Sequence, residues 1–151
     1  MKIGVPKEIK PQEHRIGLTP ESVKILVSEG HEVIVENNGG FEAGFDNEQY
    51  INSGAKIANT ASDIFNDAEI IVKVKEPQKV EVDMIRENQI VYTYLHLAAA
   101  KELTEGLIKS KSINIAYETV TDDNGRLPLL APMSAVAGRM SVQAGAHCLE
   151  K

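Results

Sequence analysis

Runs of apolar, often β-branched residues alternate along the chain with segments whose apolar positions recur at helical spacing. The short apolar runs are typical of strands in a parallel sheet, and the amphipathic segments are typical of the helices that cover one. Strands are predicted at residues 2–5, 31–36, 56–58, 69–74, 90–94 and 113–117. Helices are predicted at residues 20–29, 47–52, 62–66, 80–87, 101–109 and 132–151. This order predicts an α/β fold with a doubly wound, mostly parallel, Rossmann-like sheet whose strand at 90–94 is buried on both faces.

The last part of the chain departs from this rhythm. Residues 119–121 and 126–130 flank an Asn124-Gly125 pair, a strong tight-turn signal, and this predicts an antiparallel hairpin at the edge of the sheet. Pro128 fits an edge strand because it cannot donate to a ladder. The final helix is small and apolar on nearly all sides, so we expect it to be covered by a further part of a larger architecture.

Composition and charge narrow the classes of function. The chain has 151 residues, which suits one domain, and its net charge of −6 with scattered lysines argues against a nucleic-acid surface. No apolar run reaches membrane-spanning length, and Pro6 stops the first one too early for a signal peptide. The single Cys148 cannot form an internal disulfide, and we expect it to be buried in its helix. A cytoplasmic protein with no membrane partner and no metal site is predicted.

Three candidate polar side chains follow predicted strands. Arg15 lies in the loop after the first strand, Lys75 follows the strand at 69–74, and His96 follows the strand at 90–94. The carboxyl ends of parallel strands share one edge of the sheet, and open α/β folds bind their ligands there. Two cations can hold a carboxylate, and an imidazole can exchange a proton near neutral pH. The sequence therefore predicts a crevice for a small organic acid that could also support proton transfer.

Each of these residues also has a plainer structural interpretation. A histidine after a strand is more often a packing or capping residue than a catalyst. Arg15 could anchor its own loop through Glu13, and Lys75 could pair with Glu76. The remaining histidines are expected to be structural or solvated: His14, His31 and His147.

Several motifs, in order along the whole chain, resemble the family that contains bacterial L-alanine dehydrogenases and the NAD-binding subunit of proton-translocating transhydrogenases. The motifs are KIGVPKEIKPQEHRIGLTPE at 2–21, KVKEP at 73–77, YLHLA at 94–98, AYETV at 116–120 and APMSAVAGRMSVQAGA at 131–146. The transhydrogenase branch lacks the lysine of KVKEP and the histidine of YLHLA. Because this sequence has both, the resemblance favours the dehydrogenase branch.

The resemblance implies an enzyme that reversibly converts L-alanine, NAD and water to pyruvate, ammonia and NADH. Carried over by motif, Arg15 and Lys75 would hold the substrate carboxylate, and Lys75 would also polarise the keto oxygen. His96 would be the proton donor and acceptor. Weaker roles are implied for further residues: pocket lining for Glu13, Tyr94 and Met133, and a dinucleotide contact for Ser134.

Members of this family continue into a Rossmann domain that binds NAD, and we expect the full-length protein to be a homo-oligomer. The resemblance thus implies a substrate-binding half-domain at residues 1–131 and an interdomain helix at 132–151 leading to an NAD-binding domain absent from this chain. The isolated chain is expected to be inactive. Two alternatives stay open: an NAD-binding domain of the transhydrogenase type, and a stand-alone keto-acid-binding or regulatory module whose last helix docks a partner.

Overall fold

The protein is described by a computed structural model that covers residues 1–150. The chain divides into two compact units, Met1–Ala116 and a second that begins at Tyr117. The boundary predicted at residue 131 divides the chain by function, into a substrate-binding half-domain and an interdomain helix. This functional division stays a prediction. Among residues 1–150, no helix has both the length and the apolar character needed to cross a membrane.

The first unit is built on a six-stranded sheet in which every pair of neighbouring strands is parallel. The strands are β1 (Lys2–Val5), β2 (Glu32–Glu36), β3 (Lys56–Ala58), β4 (Ile70–Val72), β5 (Ile90–Thr93) and β6 (Ile113–Ala116). Their order is β3-β2-β1-β4-β5-β6, the doubly wound order of Rossmann folds. The predicted α/β, Rossmann-like fold is confirmed.

Helices connect the strands at nearly the predicted positions. They are α1 (Pro20–Ser28), α2 (Asn47–Asn52), α3 (Ala61–Asp67), α4 (Lys79–Val82), α5 (Lys101–Ser110) and, in the second unit, α6 (Ala131–Cys148). The α1 helix begins as predicted, because the Thr19 side chain accepts the Ser22 N–H and Pro20 takes the first helical position. After α1, Gly30 adopts a φ of 84°, as a terminating glycine does.

The prediction that α4 would extend to residue 87 is wrong. Beyond Val82 the chain makes tighter turns, in which the Ile85 N–H donates to the Val82 carbonyl. A longer helix would need the Arg86 N–H for that carbonyl, but the Gln89 side chain accepts it instead. A side-chain acceptor thus ends the helix, and periodicity alone does not reveal such an acceptor.

Helices pack against both faces of the sheet and form two cores. Val33 and Val35 of β2 pack in a core with residues of α1 and α2, whereas Ile34 packs in a second core with α3 and α5. The second core also contains Val91 of β5. Alternate strand residues point to opposite faces, and right-handed connections put α3 and α5 on the same face.

The strand β5 is not buried on both faces, contrary to prediction. Val91 and Thr93 are buried, but Ile90 and Tyr92 on the other face are only partly so. The reason lies in the connections, because α5, the helix that follows β5, and Ile85, which precedes β5, pack in the core on the face of Val91.

The predicted antiparallel edge hairpin is also wrong. The turn itself forms, since the Asp122 N–H donates to the Arg126 carbonyl and the Asp122 carboxylate accepts the Asn124 and Arg126 N–H groups. No ladder follows from the turn within residues 1–150. Pro128 has no N–H, and the Leu130 and Ala131 N–H groups already donate to the Leu127 carbonyl as the chain turns into α6. Residues 127–130 therefore lead into a helix.

The α6 helix was predicted to within a few residues, although Lys151 lies outside the described residues. Its side chains are exposed along its length, Met140 and Val142 among them. Cys148 is exposed as well, which corrects the expectation that it is buried. Apolar composition predicted burial here, but burial depends on a covering surface that composition does not specify.

Candidate functional site

A crevice is expected where the strand order changes direction, between β1 and β4. Arg15 lies in the loop after β1, and Lys75 and His96 follow β4 and β5. Because all these strands are parallel, the structure brings the three segments to one edge of the sheet. Their shared edge was the basis of the sequence prediction, while the roles of the residues stay predictions.

The loop after β1 lies directly against the end of β4. A Cβ atom at Gly17 would come within 2.5 Å of the Val72 carbonyl oxygen, so only glycine permits this approach. The Lys10 ammonium also forms an ion pair with the Glu76 carboxylate just beyond β4. These contacts fix the loop that carries Arg15 across the β4 strand end.

Arg15 is held by Glu13. The Glu13 carboxylate accepts hydrogen bonds from Arg15 Nε at 2.7 Å, Nη2 at 2.6 Å and the backbone N–H at 3.0 Å. Hydrogen bonds from Arg15 lower the pKa of Glu13 to about 2, and those same bonds raise the pKa of Arg15. The guanidinium has five N–H donors and its side chain is 52% exposed, so it can also bind an anion from solvent. The plainer interpretation of Arg15 as a loop anchor is therefore observed, and it is compatible with ligand binding.

Lys75 lies within electrostatic range of the same loop. After the bonds from Arg15, the positive charge of Lys75 contributes to the low pKa of Glu13. Glu76, the alternative partner proposed for Lys75, forms its ion pair with Lys10. Burial alone would raise the pKa of Glu76, but hydrogen bonding from Lys10 and the charges of Lys10 and Lys75 lower it. Arg15 and Lys75 thus bring two positive charges to the edge of the sheet.

A buried ion network underlies this edge. The Lys73 ammonium is 0% exposed and lies 3.1 Å from Glu8 Oε2 and 2.7 Å from Glu81 Oε1. The second Glu8 oxygen accepts the backbone N–H groups of Val74 and Lys75, at 2.6 and 3.2 Å. Burial raises the pKa of Glu81, although the Lys73 charge opposes that rise. The network joins the loop after β1 to the end of β4 and to α4.

His96 has a left-handed backbone, with φ 53° and ψ 38°, immediately before a short 3₁₀ helix at Leu97–Ala99. A residue with a side chain costs about 1–3 kcal/mol in such a conformation, which persists only where the surroundings enforce it. His96 is exposed, so its imidazole can meet a ligand from solvent. Tyr94, two residues earlier, is partly buried, and it contributes to the raised pKa of Arg15 after the larger effect of Glu13.

Met133 and Ser134 lie in the first turn of α6, in the second unit. Met133 is 36% exposed, and the Ser134 N–H donates to the Leu130 carbonyl. Their predicted contacts with substrate and dinucleotide stay predictions. Among residues 1–150, no group of three or more histidine, cysteine, aspartate or glutamate side chains could hold a metal ion.

A cleft of about 170 Å³ opens along the loop after β1. Its lining includes Lys10, Glu13 and Arg15, with Gly39 and Glu42 from the segment after β2. His14 also lines this cleft and bonds to Glu42, and its expected role as a structural or solvated residue stays a prediction. The cleft has the size of a small organic ligand, and Arg15, one of its lining residues, has a side chain that is 52% exposed.

The sequence matches the family described as "Alanine dehydrogenase/PNT, N-terminal domain" over residues 4–137. The chain belongs to this family. Alanine dehydrogenases from Halomonas elongata and Methanococcus maripaludis are 54% and 50% identical to it over 151 residues, which is all of this chain. The chain spans only 41% and 40% of those two relatives. The resemblance predicted from the motifs is confirmed for the N-terminal part of alanine dehydrogenases.

Solved structures agree with this assignment. An L-alanine dehydrogenase structure matches 99% of the chain with a TM-score of 0.92 and 53% identity, and the match covers 41% of that structure's chain. A transhydrogenase from Sinorhizobium meliloti matches 78% of the chain with a TM-score of 0.74 and 28% identity. Both branches share the fold, and identity and coverage are higher for the dehydrogenase.

Sequence reasoning missed three residues of this alanine dehydrogenase-type domain: Glu8, Lys73 and Glu81. A signal was present, because Lys73 interrupts an otherwise apolar strand run, Ile70-Ile71-Val72-Lys73-Val74. Lysine is almost never fully buried unless it is paired, so a lysine in this position predicts buried carboxylate partners. Which carboxylates they are depends on tertiary contacts with residues 65 and 8 positions away.

Proposed function

We propose that this chain is the substrate-binding portion of an NAD-dependent L-alanine dehydrogenase, which reversibly converts L-alanine, NAD and water to pyruvate, ammonia and NADH. The observation that carries the proposal is the convergence of the Arg15, Lys75 and His96 segments at the carboxyl edge of β1, β4 and β5. The full-length protein is proposed to be a cytoplasmic homo-oligomer.

The side chains suit a small keto or amino acid. Arg15 offers a planar fork of donors for the substrate carboxylate, and Lys75 adds a second positive charge that can also polarise a keto oxygen. His96 is proposed to exchange protons at the carbinolamine and water steps, since an imidazole can both donate and accept a proton near neutral pH. Glu13 keeps Arg15 oriented, and Tyr94 and Met133 are proposed to line the pocket.

The loop after β1 does not suit the pyrophosphate of NAD. Dinucleotide-binding folds place a glycine-rich turn and a helix N-terminus at this point. Here the turn begins Pro6-Lys7-Glu8, and the buried Glu8 carboxylate already takes the backbone N–H groups of Val74 and Lys75. NAD is therefore proposed to bind mainly to residues outside this chain, with Ser134 as a contact.

The proposal predicts that Lys75→Ala weakens pyruvate binding. Pyruvate would be titrated into the isotope-labelled chain while the backbone amide resonances are followed by NMR. The parent should show shifts near residues 75 and 96, and the variant should need at least about tenfold more pyruvate, because a charge-assisted hydrogen bond is lost. Arg15→Ala should have a similar effect.

Lys24→Ala is the matched control, because it removes an exposed lysine from α1 and should leave the affinity unchanged. Equal pyruvate binding by the parent and Lys75→Ala would rule out the carboxylate clamp. The transhydrogenase alternative predicts a different outcome, in which NAD alone shifts the amides at the carboxyl edge and pyruvate does not.

A further inference from the structure

Both backbone polar groups of Lys75 are held by buried side chains. The Lys75 N–H donates to Glu8 Oε1 at 3.2 Å, and the Lys75 carbonyl accepts the Thr93 hydroxyl at 2.9 Å. Counted over the whole residue, Glu8 is 6% exposed and Thr93 is 0% exposed. Glu8 lies in the loop after β1, and Thr93 is the last residue of β5. The Lys75 backbone is therefore held by residues from two neighbouring parts of the sheet edge.

The Glu8 carboxylate is itself fixed. Its Oε1 also accepts the Val74 N–H at 2.6 Å, and its Oε2 lies 3.1 Å from the Lys73 ammonium. Lys73 is balanced on its other side by Glu81, whose second oxygen accepts the Gln78 N–H at 2.7 Å. Each Glu8 oxygen therefore has a partner, and the carboxylate has little freedom to rotate.

Stability alone is a weak reason for such a network. Replacing a buried ion pair by apolar residues is often neutral or stabilising, because desolvation offsets the attraction between the charges. What an apolar substitute could not supply is an acceptor for the Val74 and Lys75 N–H groups. The network therefore supplies a hydrogen-bond acceptor to the backbone of Lys75, the residue that is proposed to bind substrate.

We propose that Glu8, assisted by Thr93, is a positioning residue that holds the Lys75 backbone so that its ammonium and the Arg15 guanidinium can meet one carboxylate. This inference rests on the proposed function, in which Lys75 and Arg15 bind substrate. The loop containing Glu8 also carries Arg15, so one carboxylate fixes the relative placement of both cations. Small misplacements of binding groups cost large factors in affinity or rate.

The test compares Glu8→Met with Glu81→Met. Methionine is similar in size to glutamate and has no side-chain oxygen, so each change removes one of the two carboxylates beside Lys73 together with its acceptor atoms. Both glutamate side chains are 1% exposed, but only Glu8 contacts the Lys75 amide. Pyruvate affinity would be measured by amide NMR on the 151-residue chain, at a temperature where each variant is folded. Glu8→Met should weaken pyruvate binding by about tenfold, whereas Glu81→Met should change it by less than about twofold.

A spectroscopic readout separates positioning from general stability. In the parent, pyruvate should shift the NMR signal of the Lys75 side-chain carbon that bears the nitrogen. In Glu8→Met that shift should be lost while the Arg15 side chain still responds to pyruvate. Equal affinity losses in the two variants, or an unchanged Lys75 response in Glu8→Met, would overturn the proposal.

If Glu8→Met does not fold, Thr93→Val decides the question. Valine keeps the shape of threonine and leaves the ion network intact, but it cannot donate to the Lys75 carbonyl. An affinity about threefold weaker supports the proposal, and an unchanged affinity overturns it. Failure of the proposed function looks different, because then Lys75→Ala itself binds pyruvate as the parent does.

Discussion

Arg15 and Lys73 are both cations near the carboxyl edge of the sheet, yet their surroundings give them different tasks. The Arg15 side chain is 52% exposed, so it can exchange solvent for a ligand anion. Lys73 is 0% exposed between two carboxylates, so it cannot meet a ligand from solvent, and its charge holds the Glu8 carboxylate in place. In the same region the His96 backbone has the left-handed conformation, and strained backbone of this kind is frequent at functional sites.

The Glu13–Arg15 pair predicts a pH dependence of stability. The pKa of Glu13 is lowered from 4.5 to about 2 in the folded protein, so the pair stabilises the fold above pH 4.5 and this contribution falls as the pH approaches 2. Arg15 is half exposed, and after solvent screening we expect a contribution of about 1 kcal/mol. Urea unfolding of the parent and Glu13→Gln between about pH 3 and 6 measures it.

The difference between parent and variant is the informative quantity, because other carboxylates titrate in the same range. The parent should lose more free energy of unfolding than Glu13→Gln as the pH falls. Identical pH profiles would show that the pair contributes nothing to stability.

At the scale of elements, the close approach of β1 and α3 constrains packing in the first unit. A Cβ atom at Gly4 would lie 2.4 Å from Ile64 Cγ2 and 2.7 Å from the Ala68 Cβ. The strand and helix can approach this closely only because residue 4 has no side chain. The neighbouring atoms belong to a buried core with little room to move.

Gly4→Ala should therefore lower the free energy of unfolding by about 1–3 kcal/mol through overpacking. Chemical denaturation followed by circular dichroism measures the change. Gly138→Ala is the control, because a Cβ atom there meets nothing within 4 Å in the middle of α6. It should not lower stability or helix content, and a Gly4→Ala variant as stable as the parent would contradict the packing argument.

At the scale of the whole molecule, the chain spans 40 to 41% of the alanine dehydrogenases that it matches. Its sheet has the doubly wound order, but the loop at the direction change carries Glu8 and Arg15 where dinucleotide-binding folds carry glycines. The first unit thus combines Rossmann topology with a loop that lacks the glycine-rich turn, as our proposal of a substrate site requires.

This combination predicts that the purified 151-residue chain will not oxidise NADH in the presence of pyruvate and ammonia. The expected result is no decrease in NADH absorbance above that of a protein-free control, although pyruvate still shifts the amide resonances. An alanine dehydrogenase of full length serves as the positive control. Steady turnover by the chain alone would refute the prediction.

Local features were readable from the sequence because neighbouring residues cause them. Thr19 and Pro20 start α1, the run from Lys2 to Val5 forms β1, and the motifs identified the family. The end of α4, the missing hairpin and the exposure of Cys148 were not readable in this way. The end of α4 depends on the conformation of the Gln89 side chain, the hairpin on a partner strand and the exposure of Cys148 on a covering surface, and periodicity specifies none of these.

The sequence by itself determined the order of strands and helices, the parallel sheet and the strand ends that carry Arg15, Lys75 and His96. Only the tertiary structure decided the order in which the strands lie side by side in the sheet, and which carboxylates pair with the buried Lys73. Hydrophobic period and capping act over a few residues, whereas Lys73 meets Glu8 across 65 positions of the chain. The Lys73–Glu8 pair forms because β1 and β4 are neighbours in the sheet, and this neighbourhood exists only in the folded protein.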